Sequence, residues 1–272
     1  CRSTLPMAAD VTLAPSPENR RALWRALLWP GILAMLYVLV GVIARVDIGL
    51  SRYLPLHSAM ETGAIVVAML VFGIAWNAYS DARPGNVVLL GVVLLGTAML
   101  DFGHMLGYRG MPDFITPASP QKAISFWLAA ALRPWQPMLR PRARYGLVSL
   151  VLAYVAACYG LELLMPAQLP AFFIPGSGLT ELKIATEYSL AAIYGLAALG
   201  FARQTWRGAR FNAADLVSAA LIAMLSELCF TRYASVSDIY NFVGHLYKII
   251  SYGYIYRAVF VDSVRQPFNA LQ

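Results

Sequence analysis

The chain has 272 residues, 59% of them hydrophobic and only 13% charged, with a mean hydropathy of +0.61 and a net charge of +7. Soluble domains average about 25% charged residues, so this composition excludes an ordinary water-soluble domain and belongs to an integral membrane protein. The positive charge is no sign of a nucleic-acid partner, because 18 of the 21 basic residues are Arg and most lie at the ends of apolar segments, where topology places them.

The first residues are polar, carry Pro15 and Pro17, and lack the charged-then-apolar layout of a secretory signal. They are expected to form a polar N-terminal tail over 1–23, and a start other than Met points to a fragment or a processed product. Apolar runs of about twenty residues then give eight expected spans. They fall at 24–46, 56–79, 87–108, 120–140, 145–165, 180–203, 213–233 and 239–261. The fourth is short, because Arg133, Pro134 and Pro137 interrupt it.

With the N-terminus in the cytoplasm, the inside connections carry Arg20, Arg21, Arg25, Arg83, RPRAR at 140–144, RQTWRGAR at 203–210, Arg257 and Arg265. The outside ones hold Arg45, Arg52, Arg109 and Lys122, and the connection at 166–178 has no charge. The positive-inside rule thus predicts an all-α polytopic bundle of about eight helices with both termini cytoplasmic. Residues 24–262 form the membrane domain on this reading, and 263–272 begin a cytoplasmic linker. Cys1, Cys158 and Cys229 offer no spaced pair, which argues against a disulfide framework or a thiolate zinc site.

Ionisable groups inside a membrane are costly and mark functional positions. In this topology His57 and Glu61 lie on the second span and Asp101 and His104 on the third. Lys183 and Glu187 lie on the sixth, Glu227 on the seventh, and Asp238, Asn241, His245 and Lys248 on the eighth. Counted at about 1.5 Å per residue, all fall in one layer of the outer half of the bundle. The inner half is expected to hold only Glu162, Asp215 and Asp262, near its boundary. All three histidines of the chain lie in the layer, each on a different helix. His57/Glu61 and Asp101/His104 are four and three residues apart, so each pair shares a helix face.

Three imidazoles with nearby carboxylates suit a transition-metal site, with Glu61, Asp101 or Glu227 as further ligand or as partner to a ligand. Two opposed histidines could instead hold a haem iron. Lys183 and Lys248 suit a zwitterionic or anionic small molecule or a proton-responsive network, and a purely structural network stays open too. Simple ion pairs between Glu227 and Arg232 and between Lys183 and Glu187 are the plain alternatives. Tyr247, Tyr252, Tyr254 and Tyr256 read first as packing and interface residues, as does Trp127 beside Phe126.

The stretches LHSAMETGAIVVAML (56–70), LDFGHMLGYRGMPDF (100–114), ISFWLAA (124–130) and SELCFTRYASVSDIYNFVGHLYKIISYGYIYRAVFVDSVRQPF (226–268) resemble the third membrane-associated sensor family of bacteria. The resemblance runs from about residue 25 to 268, and the Asp/Asn/Gly-His/Lys block of the eighth span is its most specific part. It implies a non-enzymatic, multi-pass sensory domain of the bacterial inner membrane, preceding a histidine kinase or diguanylate cyclase output domain in the same polypeptide. A homodimer follows from how such outputs work. Carried over position by position, the family pattern covers His57, Glu61, Asp101, His104, Trp127, Glu227, Asp238, Asn241, His245 and Lys248. The residues themselves add Glu187 and Tyr252 as ligand-facing candidates. A transporter would carry polarity through the full depth or in inverted repeats, and a redox or metal enzyme of the membrane is the remaining reading.

Overall fold

The computed structural model describes residues 16–42, 48–78, 86–119, 121–123, 143–174, 176–208 and 212–265. Among the described residues seven long helices follow one another: α1 (Pro17–Val42), α2 (Leu50–Asn77), α3 (Asn86–Gly107), α4 (Ala143–Leu164), α5 (Glu181–Trp206), α6 (Ala213–Phe230) and α7 (Ile239–Phe260). They correspond to seven of the eight expected spans. The fourth expected span, with Trp127 and the Arg133–Pro134 interruption, lies outside the described residues apart from its first turn at 121–123. A single turn of 3-10 helix (Pro166–Gln168) and a two-stranded hairpin, β1 (Phe173–Ile174) with β2 (Gly178–Leu179), fill the connection between α4 and α5.

Local chemistry sets the boundaries. Ser16 Oγ accepts the Asn19 amide at 3.1 Å, so α1 starts at Pro17, inside the stretch expected to be tail. α2 likewise starts at Leu50, before the expected 56, and runs through Pro55, which lies inside the helix near its start. Thr180, Asn212 and Asp238 cap α5, α6 and α7 by accepting amides of Lys183, Asp215 and Tyr240.

Among the described residues six helices, α1 to α6, are long and apolar enough to cross a membrane. α7 has 22 residues, so at about 1.5 Å per residue it too matches a bilayer core. Its tyrosines and polar stripe lower its hydropathy, and it compensates by burying that stripe among its neighbours. α7 packs on α6 and α2, α2 on α3, α6 on α5 and α1, and α3 on α4. Large apolar side chains such as Leu28, Met35, Val38, Leu150, Ile193, Leu196 and Leu199 point outward, as contact with lipid tails requires.

Small residues let the central helices approach closely. Ala64, Ala68, Val71 and Ala75 form the buried stripe of α2, facing Leu94 and Ala98 of α3 and Ile255 and Val259 of α7. A Cβ on Gly91 would sit 2.5 Å from Ala75 Cβ, and one on Gly244 would sit 2.5 Å from the Phe230 ring. A second core joins Leu33 of α1, Leu190 of α5, Ile222, Leu225 and Cys229 of α6, and Tyr247 of α7. Tyr247 lies wholly inside and donates to the Leu33 carbonyl at 2.7 Å.

Polar ties close the two ends of the bundle. At one end Ile48 N donates to Ser237 O at 3.0 Å, and Tyr108 Oη donates to Val236 O. Gln121 clasps the connection before α5 through Pro170 O and the Phe172 amide. At the other end Arg257 of α7 pairs with Asp215 of α6. Beyond α7 a wide helical turn (Val261–Arg265) brings Asp262 to the Asn212 amide at 2.9 Å. Burial raises the Asp262 carboxyl above its usual range, and the amide hydrogen bond opposes that.

Glu162 is buried in the last turn of α4, an electrostatic neighbour of Lys122, so it belongs to the end carrying residues 108–123 and not to the inner boundary with Asp215 and Asp262. The fifth span rises toward the connection at 166–178, and its final turn must share that side.

Gly91→Val should cost about 1–3 kcal/mol by forcing α2 and α3 apart, whereas Gly73→Ala, with open space beside it, should be neutral. Thermal unfolding of the purified protein in detergent, followed by circular dichroism, measures both. Equal melting curves for the two variants would contradict this packing.

Candidate functional site

α2, α3 and α7 meet around a buried polar cluster. His57 and Glu61 point into it from one face of α2, Asp101 and His104 from α3, and His245 and Lys248 from α7. All six are at most 5% exposed. They sit among apolar helices, so each must find its partners within the protein.

Lys248 supplies the central charge. Its Nζ lies 2.8 Å from Glu61 Oε2, 3.1 Å from Glu61 Oε1 and 3.0 Å from Asp101 Oδ1. Tyr252, one turn further along α7, donates to Asp101 Oδ2 at 3.5 Å. One ammonium thus holds carboxylates from two helices, and α7 is bound to α2 and α3 by charge as well as by packing. Breaking such a buried pair from one side leaves an uncompensated charge and typically costs several kcal/mol.

The histidines are oriented from outside the cluster. His104 Nδ1 lies 2.6 Å from the Ala123 carbonyl, and His245 Nδ1 lies 2.7 Å from the Asn241 carbonyl. A carbonyl only accepts, so both Nδ1 atoms carry a proton, and both Nε2 atoms, turned inward, are bare when the ring is neutral. His104 Nε2 lies 3.2 Å from His57 Nε2, and His245 Nε2 lies 3.2 Å from Glu61 Oε1. The His57 ring stacks on Tyr108 with centroids 3.8 Å apart. One donor atom from each of His57, Glu61, His104 and His245 lies within 4.8 Å of the other three. Two facing nitrogen lone pairs repel unless a proton or a cation lies between them. A ring nitrogen fixed by a backbone carbonyl, with its partner nitrogen bare, is the usual arrangement of a metal-ligating histidine.

The remaining expected residues divide. Asp238 and Asn241 share the α7 stripe but serve the turn that precedes it. Asp238 accepts the Tyr240 amide at 2.8 Å and the Ala234 amide at 3.3 Å, while Asn241 donates to Val236 O at 2.6 Å and to Tyr108 Oη at 3.2 Å. Glu187 and Glu227 fall in a second buried group with Lys183, which pairs with Glu187 along α5. The Phe230 ring stands between the groups, 6.0 Å from Lys183 Nζ and 5.1 Å from the His245 ring. The layer read from helical depth is therefore two compartments. Arg232 sits over the Tyr37 and Tyr240 rings and donates to Tyr37 Oη at 3.4 Å, so its role lies with α1. Trp127 lies outside the described residues.

Sequence reading missed three contributors. Tyr53, wholly buried, places its hydroxyl 3.4 Å from His245 Nδ1. Tyr108 supplies the ring under His57, and Ala123 supplies only a carbonyl. Tyr53 is four residues before His57 and Tyr108 four after His104, so helical spacing could have found both. Nothing in a side chain could have marked Ala123.

A family model described as a membrane-associated sensor domain matches residues 48–267, from the residue before Gly49 at the head of α2 to beyond the turn that follows α7. Neither the curated proteins nor the solved structures contain a match.

If the ion pair ties α7 to α2, Glu61→Gln and Lys248→Met should each destabilise the protein by about 3 kcal/mol, and the double variant should cost clearly less than their sum. Melting curves of the four proteins in detergent test this. Strictly additive losses would mean that the pair contributes no coupling.

Proposed function

The chain belongs to the membrane-associated sensor domain family, and we propose that it is the sensory input domain of a bacterial signalling protein, reading a transition-metal ion held by His57, His104, His245 and Glu61. The observation that carries the reading is the convergence of these four buried donor atoms within 4.8 Å, two of the imidazoles having their tautomer set by backbone carbonyls. Neutral imidazole is a preferred ligand of zinc, copper, iron and nickel, and three imidazoles with one carboxylate complete a four-coordinate shell. A donor set crowded around one point suits a bare ion better than a haem, whose macrocycle must separate two axial ligands.

The ion would enter from the outer side, where the caps of the site lie in residues 108–123 and 231–237. It would act on α7, which supplies His245 and Lys248 and continues through Arg257 and Asp262 to the linker at 263–272. Two packings of α7 against α2 and α3 that differ by a few kcal/mol are enough to switch an attached output domain. On this reading both termini are cytoplasmic, the host is the bacterial inner membrane, and the output is a histidine kinase or diguanylate cyclase working as a homodimer. A transporter is disfavoured because the described polar clusters stop short of the full depth.

Protein purified without chelators should carry close to one equivalent of a transition metal by elemental analysis, and His245→Ala should lose it while staying monodisperse. In the full-length protein, His57→Ala and His104→Ala should abolish the output response to that metal. Metal-free wild type after growth with added zinc, copper, iron and nickel would remove the metal from this reading. Unchanged signalling by both variants would remove the site.

A further inference from the structure

Arg232 stands in the turn between α6 and α7, at the end of the bundle that carries residues 108–123. It is exposed, and no carboxylate among the described residues pairs with it. Phenols surround it instead. Its guanidinium carbon lies 5.8 Å from the ring centre of Tyr37 on α1 and 5.5 Å from that of Tyr240 at the head of α7. Nη1 donates to Tyr37 Oη at 3.4 Å, and Tyr188 of α5 is a further electrostatic neighbour. The absence of a side chain on Gly41 of α1 permits the approach. A Cβ there would sit 2.8 Å from Tyr240 Oη and 3.9 Å from Arg232 Nη1.

Arginine keeps its charge at any working pH, so this group is cationic without regard to titration. A guanidinium offers five N–H donors in a planar fork, and the Tyr37 contact uses one. Tyr37 accepts in that contact, so its hydroxyl proton can be given to another group. Such a set fits a phosphate diester, which takes two parallel N–H bonds from one guanidinium.

The surroundings decide which phosphate. Val38 and Val42 flank Tyr37 and Gly41 along α1, and Leu182 lies in the first turn of α5, all exposed. The group therefore stands where hydrocarbon meets the headgroup layer. We propose that Arg232, Tyr37 and Tyr240 bind the phosphate of an anionic phospholipid in the leaflet at this end, and that the lipid fastens α1 to the head of α7. A zwitterionic headgroup fits less well, because no described carboxylate contacts Arg232 to receive its ammonium. α1 lies outside the residues 48–267 matched by the family model, so the lipid ties the helix before the sensor domain to the helix that carries His245. This contact is independent of the metal reading.

The test is lipid binding to the purified full chain in detergent, read by native mass spectrometry. The probes are dioleoyl phosphatidylglycerol and dioleoyl phosphatidylcholine, with inorganic phosphate as competitor. The wild type should bind phosphatidylglycerol about fivefold more tightly than phosphatidylcholine, and Arg232→Gln should remove that preference. Tyr37→Phe/Tyr240→Phe, which keeps both rings, should lower the preference part of the way. Arg109→Gln, at another exposed arginine of the same end, should leave it unchanged. Equal binding of the two lipids by the wild type, or a preference that survives Arg232→Gln, would overturn the proposal. An equal loss in Arg109→Gln would reduce the effect to general surface charge and overturn the site. Displacement of phosphatidylglycerol by inorganic phosphate at millimolar levels would assign the group to a soluble anion and overturn the lipid. If Arg232→Gln is not monodisperse, the phenylalanine pair decides, and an unchanged preference there counts against the site.

Discussion

The bridge from Lys248 to Glu61 and Asp101 is the interaction on which the rest of the bundle depends. Three charged groups from three helices are removed from water and from lipid headgroups at once, so none of the helices can rotate about its axis or slide without exposing a bare charge to hydrocarbon. Packing of small residues sets how near α2, α3 and α7 come. The charge bridge sets which faces meet. A register shift of one residue in α7 would turn Lys248 by about 100° and strand all three partners.

Around that bridge the helix α7 is clamped at both ends by different means. Asp238 caps its start, and Asn241 with Tyr108 fixes the preceding turn to the end of α3. At its far end, Arg257 pairs with Asp215, and Asp262 takes the Asn212 amide, both on or beside α6. The site end of α7 thus answers to α2 and α3, and the exit end answers to α6. A change in the cluster that alters the tilt of α7 has to be taken up between these two anchorages. The turn at Val261–Arg265, wider than the α-helix it follows, lies just beyond the second anchorage.

Depth was legible in the sequence and azimuth was not. Apolar run length located seven of the helices, and a rise of about 1.5 Å per residue placed His57, Glu61, Asp101, His104, His245 and Lys248 at a common level. Pair spacing also read correctly, because i, i+3 and i, i+4 neighbours share a face whatever that face meets. What spacing cannot give is which face of one helix meets which face of another. Glu187 and Glu227 have the right depth but open on the other side of Phe230. Asp238 and Asn241 lie in line with His245, yet they sit where a helix begins, and short polar side chains there serve unsatisfied amides first. The same preference of Ser16 moved the start of α1 ahead of its apolar run. Glu162 went astray for a different reason: a boundary residue has its side decided by the direction of its helix.

On the proposed ion-sensing reading, the site must stay folded without its ion, and this is hard for converging carboxylates inside a membrane. Two buried anions with no cation would repel each other and draw in water, and the bundle would form only around its ligand. Lys248 removes that dependence by keeping a positive charge permanently attached at the right place. The cost is that the ligand then competes with a covalently tethered rival for Glu61, and affinity falls by whatever that contact contributes. The competition carries a benefit specific to signalling. The rival is part of α7, so an ion that weakens the grip of Lys248 on Glu61 changes the force between α7 and α2 directly, with no intermediate chain of contacts. In a site built from α2 and α3 alone, the same ion would be bound more tightly and would leave the exit helix unaware of it.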